Sequence, residues 1–237
     1  MVYLQPFTFF VGAAGGFTNL LACAACNLIP VAGQIALLGY RAELADELSR
    51  GSGRPPAFGF GRFADYIRRG VWPAVYQLAF GLVVGGLVVV GAVLASVGLE
   101  QAARTADPYL WAAAVALAWV AGVLMLATAA AGLLWPMELH AQLSGRFAPR
   151  AAAGFAARFQ GRVWGQALVS LVVFLVGSSL LNVIGLLACG VGIGLTIVVQ
   201  FMAQQHLMTQ LYRLYLDAGG EPIRGPDADA DDGPSRG

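Results

Sequence analysis

The side chains best equipped for chemistry fall in two short groups set in apolar surroundings. Glu138, His140 and Gln142 follow Pro136, while Gln204, Gln205 and His206 close a long apolar run. A carboxylate and two imidazoles are the usual general acid–base groups and common metal ligands. If the two runs face each other, Glu138, His140 and His206 could form a small polar site on the cytoplasmic side, even a metal site. Two histidines and one glutamate from separate segments are also what a solvated face at a membrane boundary would carry, and that account is preferred. No catalytic residue, cofactor site or metal ligand is assigned, and no cofactor is expected.

Three other patterns invite chemistry and have plainer explanations. Cys23 and Cys26 form a C-x-x-C, but no second pair or neighbouring histidine completes a zinc set, and small residues packed on a helix face suffice. Gly190, Gly192 and Gly194 alternate, yet no strand precedes them and no acidic residue follows at a dinucleotide-binding distance. The run Asp227 to Gly233 resembles a calcium loop in which Asp232 displaces the glycine, with no closing glutamate. A solvated acidic tail accounts for it better.

The elements that would carry these groups are set by composition. Of 237 residues, 58% are hydrophobic and only 11% charged, against roughly 45–50% and about 25% in soluble domains. Such a chain lacks the polar cover that water demands and suits lipid. All basic residues are arginine. They cluster beside the apolar runs, which favours lipid headgroups over nucleic acid as partners.

The run Val163 to Tyr212 carries no Asp, Glu, Lys or Arg over 50 residues. As one helix it would extend roughly 75 Å against a hydrocarbon core of about 30 Å. It must cross, turn and return, with Asn182, Gly185, Gly190, Gly192 and Gly194 marking the turn. Met1 to Tyr40 is likewise free of charge and predicts a second hairpin, its first span about Phe9 to Leu28, turning at Asn27, Pro30 and Gly33. Its second half meets Arg41, Glu43, Asp46 and Glu47 so early that a short span and a re-entrant half-helix both remain open; Arg41 could snorkel to the interface. No arginine precedes Arg41, so the positive region of a signal peptide is missing, and the segment reads as a retained membrane element.

Val71 to Leu99 and Pro108 to Met137 each predict one span, with Trp72, Tyr76, Tyr109, Trp111 and Trp135 as boundary aromatics. Gly81 and Gly85 give the first a small-residue face, and Pro136 should kink or end the second. The spacing Phe63, Ile67, Val71, Trp72 recurs as Phe155, Phe159, Val163, Trp164. It predicts short amphipathic helices lying in the interface. It fits duplicated hairpins, and equally the common needs of any helix that enters a membrane. Gly51 to Pro56 reads as a flexible break.

The expectation is an all-α integral membrane protein of about six transmembrane helices in hairpins. Residues 1–216 form a single multi-pass domain and residues 217–237 a disordered acidic tail. The arginine-bearing loops mark the cytoplasmic side and place both termini there, in the cell (inner) membrane. Asn19, Asn27, Gln34, Gln77, Asn182 and Gln200 fall inside apolar runs, where they can cross-link helices by hydrogen bonds or line a path for a neutral solute.

The runs Ile29-Pro30-Val31-Ala32-Gly33 with Leu37-Leu38-Gly39-Tyr40-Arg41, Gly185 to Thr196, Gln205-His206-Leu207 and Gln210-Leu211-Tyr212-Arg213 carry a family resemblance. Through them the chain resembles the bacterial and archaeal multi-pass membrane proteins called domain of unknown function four thousand and thirteen. It departs from that pattern at Gln205 and Thr209, where the family often has Ala and Gly. The resemblance implies a multi-pass helical fold and no catalytic residues. Other small membrane families share the plan of hairpins and amphipathic helices. Two functions follow as expectations. One is a non-enzymatic component that packs with lipid, with other membrane proteins or with itself. The other is a permease for a small neutral or amphiphilic solute, suggested by the breaks at Pro30 and Gly190.

Overall fold

The computed structural model describes residues 5–12, 15–52, 54–102, 104, 108–187 and 191–225, and every regular element among them is helical. The helices are α1 (Gln5–Gly12), α2 (Gly16–Asn27), α3 (Ala32–Ser49), α4 (Phe63–Ala102), α5 (Pro108–Ser144), α6 (Pro149–Leu187) and α7 (Val191–Asp217). A single 3-10 turn, Phe60–Arg62, leads into α4. α4 packs along α5, α5 along α6 and α6 along α7, while α3 lies against α4, α5 and α7.

Two helices among the described residues are long and apolar enough to cross a membrane, at Phe60–Gln101 and Pro149–Leu187, with a shorter apolar segment at Tyr109–Val123. This replaces the expected six. One reason lies in the first forty residues. Gly15, at φ 75°, breaks the expected Phe9-to-Leu28 span into helices of 8 and 12 residues. At 1.5 Å per residue these reach only about 12 and 18 Å. A second reason is α7, which exchanges apolar for polar side chains midway, at Gln200 and again from Gln204 to His206.

The turn between α2 and α3 falls where Asn27, Pro30 and Gly33 predict it. Val31 takes φ 61° and ψ −64°, and the Ala32 N–H donates to the Pro30 carbonyl at 2.6 Å, a γ-turn. The other expected turn is narrower than its residues suggest: Asn182 and Gly185 lie within α6, and Gly192 and Gly194 within α7. Gly190 lies outside the described residues.

The amphipathic segments are not separate interfacial helices. Phe63, Ile67 and Tyr66 begin α4 and pack into a core with Leu20, Leu37, Tyr40 and Leu44. Phe155 and Phe159 begin α6, which bends at Val163 (φ −125°, ψ 17°), and they pack with Leu211, Tyr212 and Tyr215. Their apolar faces are thus satisfied by protein. α5 continues through Pro136 to Ser144.

Residues 54–59 are likewise held in place. The Asn19 side chain clamps them, its amide donating to the Pro56 carbonyl and its oxygen accepting from the Phe58 N–H, both at 3.0 Å. The Tyr40 hydroxyl donates to the same Pro56 carbonyl at 2.7 Å. Arg62 grips Glu43 of α3 through two bonds of 2.9 and 2.8 Å. Of the tail from Asp217, residues up to Gly225 are described, and Ile223 touches the core. Gly219 (φ 76°) closes α7, and the Ile223 N–H donates to the Tyr212 hydroxyl at 2.9 Å. Residues 226–237, with the acidic run, lie outside the described residues.

The result is a molecule with two unlike ends. One end buries α3 among the first turns of α4 and the last turns of α5 and α7. At the other, no residue in the most apolar stretch of α4 is buried.

Glycine decides how closely α3 can seat. A Cβ at Gly39 would fall on the Tyr66 carbonyl oxygen, and one at Gly70 on that of Ile35. α3 and α4 therefore meet backbone to backbone. Gly39→Ala or Gly70→Ala is expected to destabilise the fold by about 1–3 kcal/mol or more through overpacking. Gly81→Ala, where an added Cβ meets nothing within 4 Å, should leave thermal unfolding unchanged or slightly raised. Equal unfolding temperatures for all three variants would contradict the interlock.

Candidate functional site

The close seating of α3 carries Arg41 into the interior, where only 2% of the residue is exposed. Three helices converge on it. Continuation of α5 past Pro136 puts Glu138 and Gln142 one turn apart on the same face. α4 contributes Gln77 one turn after Pro73, and α7 contributes Gln205. The Arg41 Nη2 lies 3.1 Å from the Glu138 Oε1, with side chains 3% and 2% exposed. Gln142 Nε2 donates to the same oxygen at 3.0 Å, and Gln77 Nε2 donates to Oε2 at 3.1 Å. On the other side the Arg41 Nε donates to the Gln205 Oε1 at 3.3 Å, and the guanidinium lies over the Phe201 ring at 5.7 Å.

This is a neutralised, solvated-by-protein ion pair. Both Glu138 oxygens are occupied by donors, and the guanidinium has an acid, an amide and an aromatic face. Two amide atoms at its edge, Gln142 Oε1 and Gln205 Nε2, are buried without a partner among the described residues. An acceptor and a donor left over beside one ion pair are the complement that a single small polar molecule would need.

The three residues that the sequence suggested as a cluster are not brought together. Glu138 is held by Arg41 and the glutamines. His206 rests against the Phe9 ring, centroids 4.7 Å apart, and its Nδ1 pairs with Gln210 Nε2 at 3.0 Å. His140 lies beside Phe155 and lines a separate pocket. Among the described residues no group of three or more His, Cys, Asp and Glu could hold a metal ion. Cys23 and Cys26 are buried free thiols, and Cys189 lies outside the described residues.

Arg41 is the member that sequence reading missed, since it was expected to snorkel to the interface. The available signal was that Arg41 ends one 40-residue charge-free run while Glu138 ends another of 30 residues. The intra-run polar residues serve as cross-links. Asn182 accepts from Gln200 at 2.7 Å across α6 and α7, Asn27 pairs with Gln34, and Gln77 and Asn19 have the partners already given.

A cavity of about 420 Å³ opens between α5, α6 and α7. Its walls include Leu133, Trp135, Trp164, Leu168 and Leu171, and its polar Gln160 is tied to the Gly132 carbonyl at 2.5 Å. No family model, characterised protein or solved structure matches the chain.

Removing one partner of the ion pair leaves the other buried and uncompensated, at a cost of roughly 3–5 kcal/mol. Arg41→Met and Glu138→Leu are each expected to lower the unfolding temperature sharply, and the double variant to recover much of the loss. A double variant no better than the worse single one would show that the pair does not act as a unit.

The two imidazoles give a pH signature. Burial, reinforced by Arg146 and Arg158, lowers the proton affinity of His140. Burial and Arg213 push His206 from 6.5 down to about 4. In each case the unfolded chain binds the proton more readily. Their contribution is therefore complete above about pH 6.5 and declines as the pH falls toward the folded-state value. The unfolding temperature should drop between about pH 7 and pH 5, and His140→Gln/His206→Gln should flatten that drop. An unchanged slope in the double variant would refute the assignment.

Proposed function

We propose that the protein is an integral membrane component without catalytic activity, acting by packing its apolar helices against lipid and against other membrane proteins or a second copy of itself. The observation that carries this reading is the unburied apolar half of α4, in which no residue of the most apolar stretch is covered. A core helix of a water-soluble protein with this composition would be covered, because contiguous exposed apolar surface is costly in water. Leu78, Leu82, Val89, Val93 and Leu94 are instead all more than half exposed. Beside them Gly81, Gly85 and Gly86 leave open space where a Cβ would stand, the form of surface on which a second helix seats closely in lipid.

In this reading the outer halves of α4, α5, α6 and the first half of α7 lie in the bilayer of the cell membrane. The arginine-bearing end faces the cytoplasm. α2 and α3 enter from that side and return, since Asn19 and Tyr40 meet at the same Pro56 carbonyl. Such short helices are tolerated where protein covers them. A permease reading has less support, because the six intra-run amides are engaged with partners and the cavity between α5, α6 and α7 is apolar.

The chain should stay in the membrane pellet through an alkaline wash. A Gly85→Cys variant lacking the native cysteines should cross-link in native membranes, to itself or to a stoichiometric partner recovered in mild detergent. Release by the wash would overturn the membrane reading. A cleanly uncross-linked monomer that conducts a solute in liposomes would replace the packing role with transport.

A further inference from the structure

On the packed end, away from the Arg41–Glu138 pair, the returning tail closes a second pocket of about 190 Å³. Its walls bring together His140 of α5, Arg146 of the following loop, Arg158 of α6, and Glu221, Ile223 and Arg224 of the tail. Arg158 and Arg224 thus stand at the rim with Glu221 between them and His140 in the lining. That carboxylate is a weak counterion: the Arg158 Nη2 lies 3.8 Å from the Glu221 Oε2, with the two side chains 53% and 80% exposed. His140 forms the inner wall. It is only 9% exposed, and its Nδ1 has no hydrogen-bond partner among the described residues. The pocket is smaller than the roughly 300 Å³ at which ordinary organic-ligand sites begin, which suits a compact anion.

We propose that this pocket binds a phosphate group, held by the arginines at the rim and by a hydrogen bond from His140 at its base. Arginine forks match the tetrahedral oxygens of phosphate and bind them by charge-assisted hydrogen bonds. The tail sets the affinity. Its hydrogen bond from the Ile223 N–H to the Tyr212 hydroxyl holds Arg224 at the rim, while Glu221 competes for Arg158.

Two sources present this chemistry, a soluble phosphate and the headgroup of an anionic phospholipid. The site does not depend on the membrane reading, because its residues all belong to the packed end. The same two helices, α5 and α6, also line the apolar cavity that holds Trp135, Trp164 and Leu168.

The test uses the full chain purified in neutral detergent. Inorganic phosphate is titrated against chloride by calorimetry, and phosphatidic acid against phosphatidylcholine by native mass spectrometry. Binding of inorganic phosphate assigns a soluble ligand, and retention of phosphatidic acid alone assigns a lipid. Either supports the site if Arg158→Gln and Arg224→Gln each weaken it about tenfold, the scale of one charge-assisted hydrogen bond. Glu221→Gln, a change at an exposed side chain, should tighten it severalfold. The proposal is overturned if neither probe binds, or if the arginine variants bind normally at wild-type unfolding temperature. Should those variants fail to fold, an unchanged affinity in Glu221→Gln overturns it instead.

Discussion

An arginine and a glutamate that together expose almost no surface set the terms for the packed half of this molecule. Withdrawing each ion from water costs several kcal/mol, and their attraction offsets this only when the remaining donors and acceptors are met. Here that demand recruits four helices. Arg41 belongs to α3, Gln77 to α4, Glu138 and Gln142 to α5, and Gln205 to α7. A lysine could not replace the arginine on these terms, since one ammonium cannot address a carboxylate, an amide oxygen and a ring face in a fixed fork. The pair thus ties side chains of four helices together at one point.

The backbone must first allow that meeting. Gly39 and Gly70 remove the side chains that would hold α3 away from α4, and the Asn19 amide and Tyr40 hydroxyl seal residues 54–59 over the joint. α5 has to pass through Pro136 without stopping, or Glu138 and Gln142 would lose their common face. α6 bends at Val163, at the level where its buried aromatic face gives way to the exposed Trp164. Close packing and charge burial are therefore linked: without the glycines Arg41 would remain near solvent, and without the carboxylate no reason would exist to bury it.

The helical class, the end of α4 near Leu99, and the turn at Asn27, Pro30 and Gly33 were legible in the sequence, because apolar run length and proline act locally. The division of the first forty residues was not. A left-handed Gly15 among several other glycines leaves no local mark, and length alone made that run look like two spans. The amphipathic starts of α4 and α6 were visible as periodicity, but periodicity does not say whether lipid or protein covers the face. The site was half legible. Glu138, Gln142, Gln205 and Gln77 stood out as polar groups in apolar company. Their partner did not, since Arg41 is the first of several charges in its segment and looked like a boundary residue. Separation of 97 positions between Arg41 and Glu138 leaves no periodic trace. The grouping of Glu138 with His140 and His206 failed for a geometric reason: residues two apart on a helix point in different directions.

Polar side chains in an apolar environment either bind one another or serve a ligand. Asn27 with Gln34, Asn182 with Gln200, and Gln77 with Glu138 are already engaged. Among the described residues the buried side-chain atoms left without a partner include Gln142 Oε1 and Gln205 Nε2 beside the ion pair and His140 Nδ1, and farther along α5 and α6 also Trp119 Nε1 and Ser178 Oγ. The outer end leaves surface uncovered as well, namely the leucines, valines and glycines of α4. A chain built to move a solute would concentrate its unmet polarity along a path between its helices. Here the amides within the apolar runs are paired with one another or with neighbouring polar groups, so they line no open path, while the apolar face of α4 stays uncovered.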